Sequence, residues 1–241
     1  EMQRSLVGSE MCIRDSGSGA SRQSKLKEKI MGLIELHQVA KTIKHRQLLH
    51  HVEASIERGS ITTLEGINGS GKTLILKALL GLITVTGQVV VAGKTVSPQE
   101  AYPIKAGILI ENPSLIDDFT ALKNLELLAR LDPTIQPQQL DDLLTYFELT
   151  RFPTQKVRKF SLGMKQKLGI AEAFLGGYPL IVLDEPTNAL DHDSIIKLIA
   201  LIQRFNANGS TFVIASHDHE FVEQVATHKL SVKEGTIQHE S

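Results

Sequence analysis

The chain has 241 residues, 41% hydrophobic and 22% charged, enough for one large domain with an ordinary buried core. Its formal net charge of −1 excludes the basic excess of a general nucleic-acid binder, and its single cysteine, Cys12, excludes a disulfide framework or a thiolate metal site. No stretch offers the about 20 predominantly apolar residues that span a bilayer; the most apolar, residues 74–92, is interrupted by Lys77, Gly81, Gly87 and Gln88.

Residues 1–30 are rich in Ser, Gly and charge, with no helical or strand period and no apolar core fit for a signal peptide. The run SLVGSEMCIRDS resembles translated adapter sequence. Residues 1–30 are therefore expected to be a disordered leader or artefact, with a natural start at Met31 and a single domain over 31–241.

From residue 33 the pattern becomes regular. Leu33, Ile34, Leu36 and Val39 predict a first strand, and Val52, Ala54 and Ile56 alternate as a second. Residues 57–60 read as a turn, and 61–65 as a short strand aimed at a glycine-rich loop. A helical pattern covers 73–81, and 87–92 and 107–110 read as further strands. Between 114 and 159 the texture turns helical. Leu122, Leu125, Leu128 and Ala129 predict a helix over 121–131 stopped by Asp132-Pro133, and Leu140, Leu143, Leu144 and Phe147 predict another over 139–148. This stretch reads as an inserted helical lobe. Buried strands at 180–183 and 211–215 flank a helix at 194–205. Strands alternating with helices imply an α/β fold on a largely parallel sheet, with ligands at the carboxyl ends of its strands.

Residues 66–73, Gly-Ile-Asn-Gly-Ser-Gly-Lys-Thr, fit the phosphate-loop pattern G-x-x-x-x-G-K-[ST] between a strand and a helix. Glycines let successive N–H groups converge on phosphate oxygens, and the following helix adds its positive end. Gly66, Asn68, Gly69, Ser70, Gly71, Lys72 and Thr73 are the expected nucleotide-binding residues, with Lys72 reaching the β- and γ-phosphates and Thr73 ligating magnesium. The apolar strand Leu180-Ile181-Val182-Leu183 ends in Asp184 and Glu185. A buried carboxylate is costly unless a cation meets it, so Asp184 is the candidate for holding the metal and Glu185 for polarising the attacking water. By themselves, two acids at a strand end also fit a solvated loop.

Phe160-Ser161-Leu162-Gly163-Met164-Lys165-Gln166 resembles the LSGGQ-type signature of ABC ATPases. Residues 186–191, Pro-Thr-Asn-Ala-Leu-Asp, look like that family's D-loop, and Ser216-His217 like its switch histidine. Four motifs in the family's order run from about residue 33 to the end of the chain. The resemblance implies a P-loop NTPase fold: a mostly parallel sheet, an N-terminal antiparallel β subdomain, and a helical lobe over about 114–175. It implies ATP and Mg2+ as cofactors and a dimer, homomeric or heteromeric, packed head to tail. Ser161 and Gly163 of one copy would then contact the γ-phosphate held by Lys72 of the other. Glu185, His217 and Lys72 would be the catalytic residues, with His217 bridging the γ-phosphate and the water near Glu185, and Asp191 would organise the dimer contact. Outside the resemblance, Ser161 reads as a plain helix cap and His217 as a structural histidine.

Three positions depart from the family pattern. Glu111, in Ile110-Glu111-Asn112-Pro113, stands where a glutamine senses the γ-phosphate and magnesium, so the expected metal set is Thr73, Glu111 and Asp184. The signature reads Ser-Leu-Gly-Met where Ser-Gly-Gly-Gln is commoner. Both variants resemble the subgroup exporting bacitracin, lantibiotics and similar peptide antimicrobials. The aromatic that stacks on adenine falls at Ile43, which implies weaker base discrimination, with Lys44 or His45 as substitutes. The implied function is an ATPase subunit at the inner, cytoplasmic face of the membrane, driving a separate transmembrane permease docked near Glu111 and residues 115–119. No nucleic acid is expected as a partner, and no added regulatory domain after the last strand. The alternative is a soluble ABC-type ATPase in translation or DNA repair, whose two modules or long coiled coil are missing from this sequence. A P-loop kinase or GTPase would need neither Ser161 nor Asp191.

Overall fold

The computed structural model describes residues 32–238, so the expected leader over 1–30 lies outside the described residues. In one sheet, β1 (Ile34–Ile43) pairs antiparallel with both β2 (Arg46–Ile56) and β4 (Thr86–Val91), and β5 (Lys94–Thr95) pairs antiparallel with β4 at the edge. The other sheet is built on the parallel strands β3 (Ile61–Glu65), β6 (Ala106–Leu109), β7 (Leu180–Asp184), β8 (Thr211–Ser216) and β9 (His228–Lys233). An antiparallel strand, β10 (Thr236–Gln238), completes the order β10-β9-β3-β8-β7-β6.

The apolar runs that predict β7 and β8 are continuous because both faces of these strands are covered. Successive side chains on β7 point to opposite sides. Leu180 and Val182 join one core, with the antiparallel sheet and with Ile75, Leu76 and Leu79 of α1 (Lys72–Leu79). Ile181 and Leu183 face the other core, filled by helices. These are α2 (Ala121–Ala129), α3 (Pro137–Tyr146), α4 (Leu162–Phe174), α5 (His192–Ala207) and α6 (His219–Val225). Four of them start on a side chain that accepts a backbone N–H and so satisfies an orphan donor of the first turn: Thr120, Ser161, Asp191 and Asp218.

The antiparallel subdomain, the mostly parallel sheet and the helices interposed between β6 and β7 agree with the α/β P-loop expectation. The differences lie at boundaries. α1 stops at Leu79 because Gly81 turns the chain at φ 68°. α2 stops at Ala129, two residues before the expected end, and Asp132 then accepts from the N–H of Thr134. α3 starts earlier than expected, at Pro137, whose missing N–H costs nothing at a first helical position. α6 and the β9–β10 hairpin were not expected at all. Seven and three residues are too short to show a period.

Candidate functional site

Strands β3, β8, β7 and β6 are sheet neighbours in that order, and each ends at or within two residues of one expected to act: Gly66, His217, Asp184 and Glu111. β3 runs into the phosphate loop, where Gly69 (φ 81°) and Gly71 (φ 111°) take left-handed conformations that a side chain would resist. Gly71 caps α1, so the amides of the first helical turn, beginning at Lys72, open on a cavity of about 190 Å3 lined by Asn68, Gly69, Gly71, Lys72, Thr73, Leu74 and Glu185. Ser70 is buried against the loop's back, and its hydroxyl has no hydrogen-bond partner.

Lys72 is only 5% exposed. Its Nζ donates to the carbonyls of Gly66 at 2.6 Å and Ile67 at 3.3 Å, and forms an ion pair with Glu185 Oε1 at 3.2 Å. That oxygen has no aligned hydrogen bond, so the contact is electrostatic. The Thr73 hydroxyl donates to Asp184 Oδ2 at 2.8 Å, while the buried Asp184 Oδ1 has no partner. Burial pushes the Asp184 carboxyl above the usual range for an aspartate, opposed by the Thr73 hydroxyl and the Glu111 N–H. A buried carboxylate with a free oxygen beside a hydroxyl has the hard-donor chemistry that divalent oxygen-seeking cations require.

Glu185 directly follows β7, with φ 47°, and its N–H donates to Ala215 O at 2.8 Å. Because β8 is the adjacent strand, His217 comes alongside: its Nδ1 lies 2.7 Å from Glu185 Oε2, and its N–H donates to the same oxygen at 3.3 Å. A carboxylate only accepts, so the proton in the ring contact sits on Nδ1. Gln166, quoted in the signature without a role, donates to the carbonyls of Pro186 at 3.2 Å and Glu185 at 3.4 Å, tying α4 to the backbone after the acids.

Glu111 reaches the centre through its backbone. Its N–H donates to Asp184 Oδ2 at 3.4 Å, but its carboxylate accepts from Lys77 Nζ at 2.7 Å. Lys77 was missed in the sequence. It stands four residues after Thr73, on the same face of α1. Ser161 and Gly163 lie outside this hydrogen-bonded set. Ser161 Oγ accepts from Met164 N at 3.2 Å, and a Cβ on Gly163 would come 2.7 Å from Ala189 O. Asp191 caps α5 through Ser194 and pairs with Lys167 at 3.3 Å. Ile43 takes no part in the set either. It ends β1 opposite Arg46, 44% exposed, and the turn that follows holds Lys44 and His45 at positive φ. In the expected docking stretch Ile116 is exposed, while Leu115 and Phe119 are half-buried.

The family described as ABC transporter matches residues 49–188. The lantibiotic transport ATP-binding protein SrtF of Streptococcus pyogenes is 34% identical over 210 residues, 85% of this chain and 89% of that protein. The bacitracin transport ATP-binding protein BcrA of Bacillus licheniformis is 32% identical over 208 residues, 85% of this chain and 68% of that protein. Among solved structures, a dimeric ATP-binding cassette in a post-hydrolysis state bound to ADP and Pi aligns with a TM-score of 0.79 at 27% identity, covering 86% of this chain and 97% of that one.

Proposed function

Since this chain belongs to the ABC transporter family, as an ATP-hydrolysing subunit, we propose that it binds ATP with Mg2+ at the ends of β3, β7 and β8 and drives a separate membrane permease. In this reading the loop amides and the Lys72 ammonium receive the phosphates. The orphaned Asp184 Oδ1 beside the Thr73 hydroxyl supports a hard cation there. Thr73 and Asp184 would hold Mg2+, and Glu111 would join them by leaving Lys77. When bound, such an ion would supply positive charge that offsets the charge on the phosphate oxygens. Glu185 orients the attacking water and takes its proton, and His217 fixes the Glu185 carboxylate in place. Ser161 and Gly163 of a second copy cover the triphosphate, with the α4 N-terminus directed at it.

The single observation that carries the reading is the chain of contacts Thr73–Asp184 (2.8 Å), Lys72–Glu185 (3.2 Å) and Glu185–His217 (2.7 Å) at neighbouring strand ends. The names of SrtF and BcrA support a peptide antibiotic as the transported molecule, and with it a position at the inner face of the membrane held by the permease. The exposed Ile116 and Leu122 support a docking face on the helical lobe. Residues 31–241 are proposed to act as one ATPase domain.

ATP binding and phosphate release measured on the wild type, Lys72→Ala and Glu185→Gln test this. Lys72→Ala should lose most binding. Glu185→Gln should bind ATP as the wild type does but hydrolyse it about 10²- to 10⁴-fold more slowly. Near-normal turnover by Glu185→Gln would take its role away, and purification of that variant with its bound membrane protein identifies the permease.

A further inference from the structure

We propose that the β9–β10 hairpin is a positioning element of the phosphate loop, and that Gly235 at its turn aims the Gly71 N–H into the nucleotide cavity. This rests on the reading of residues 66–73 as a phosphate site. The Gly235 N–H donates to Ser70 O at 2.8 Å. A trans peptide is planar, so the Ser70 carbonyl and the Gly71 N–H point in opposite directions. Holding the carbonyl back against the hairpin therefore turns the amide forward, toward the cavity that Gly71 lines.

Two further contacts show the hairpin acting as a backing for the whole loop. A Cβ on Gly71 would come 3.3 Å from Gly235 Cα, and a Cβ on Gly66, the first residue of the loop, would collide with the Val232 carbonyl of β9. The turn is itself held from behind. The Gly235 carbonyl accepts from the His50 N–H of β2 at 2.9 Å. Gly235 sits at φ 74°, and any Cβ there would run into the Leu48 carbonyl. Residue 235 must therefore be glycine for two independent reasons, backbone conformation and space. Its place in the hairpin leaves the N–H free to serve the loop rather than the sheet.

The test uses ADP without divalent metal, so that binding reports the amides and Lys72 alone. Two altered chains are compared with the wild type: Gly235→Ala, and exchange of the Gly235 amide for an ester, which removes the donor and adds no atom. Each should weaken ADP binding about tenfold, because one charge-assisted donor is misaimed. The ADP-induced shift of the Gly71 amide resonance should shrink, with the melting temperature nearly unchanged in the ester chain. An ester chain that folds, binds ADP within about twofold of the wild type and keeps the Gly71 shift overturns the proposal. The ester decides the matter even where Gly235→Ala does not fold. Lys72→Ala serves as the separate control. ADP binding that ignores Lys72→Ala removes the phosphate-site reading itself, whatever residue 235 does.

Discussion

Glu185 and Glu111 both hold the left-handed backbone conformation, at φ 47° and 57°, which costs a residue with a Cβ about 1–3 kcal/mol. Both flank Asp184 in space, and the strain has a visible return in each case. At Glu185 it turns the side chain off the strand axis toward Lys72 and His217. At Glu111 it brings the N–H to Asp184 while the carboxylate goes to Lys77. In the proposed metal site Lys77 would thus compete for Glu111, the side chain that stands where the resemblance places a glutamine. Lys77→Met should therefore lower the Mg2+ concentration needed for half-maximal hydrolysis. The half-exposed pair contributes less than about 1 kcal/mol to folding, so the melting temperature should barely move. A Mg2+ titration unchanged in Lys77→Met, or a like change in a variant that also carries Glu111→Gln, counts against the competition.

α4 shows how one element serves two masters. Its first turn carries the signature: Ser161 caps the helix, Gly163 must be small to clear Ala189 O, and Gln166 holds the backbone after the acids. Its last turns are core, with Leu168, Ile170 and Phe174 fully buried and Phe174 edge-on to Phe205 at 4.9 Å between centroids. Between them Glu172 is mostly buried, and desolvation pushes its carboxyl from 4.5 up to about 7. The folded chain therefore keeps a proton that the unfolded chain releases between those values. This contribution to stability is complete below pH 4.5 and is lost as the pH rises through about 7. Glu172→Gln should remove that slope and stabilise the protein at pH 8 by about 3 kcal/mol, a rise of roughly 10 °C in melting temperature. Thermal melts of both proteins from pH 4.5 to 8 check it; parallel curves would show that Glu172 titrates normally.

At the scale of the whole molecule, the two cores on opposite faces of β7 and β8 hold the ends of neighbouring strands side by side, while the signature serine caps α4 and is not among the residues that line its own chain's phosphate cavity. In the proposed reading, covering the triphosphate takes a second copy. Glu185→Gln with Mg2+ and ATP should run as a dimer in light scattering and return to a monomer when ATP is removed, while Ser161→Arg should stay monomeric throughout. A Glu185→Gln protein that remains monomeric at saturating ATP excludes a homodimer. Much of this was legible in the residues alone. The loop 66–73, the paired acids 184 and 185 at the end of β7 and the signature at 160–166 are local patterns, because backbone amides, strand ends and helix caps each need particular residues at fixed short spacings. So were the buried strands, since a strand covered on both faces must be apolar throughout. What only the tertiary structure decided is how distant segments meet. Lys77 with Glu111, Gln166 with Pro186, and the Gly235 turn with Ser70 join residues far apart in the chain, through carbonyls and N–H groups that every residue carries. Backbone groups leave no mark on a sequence, so their partners appear only once packing has brought them together.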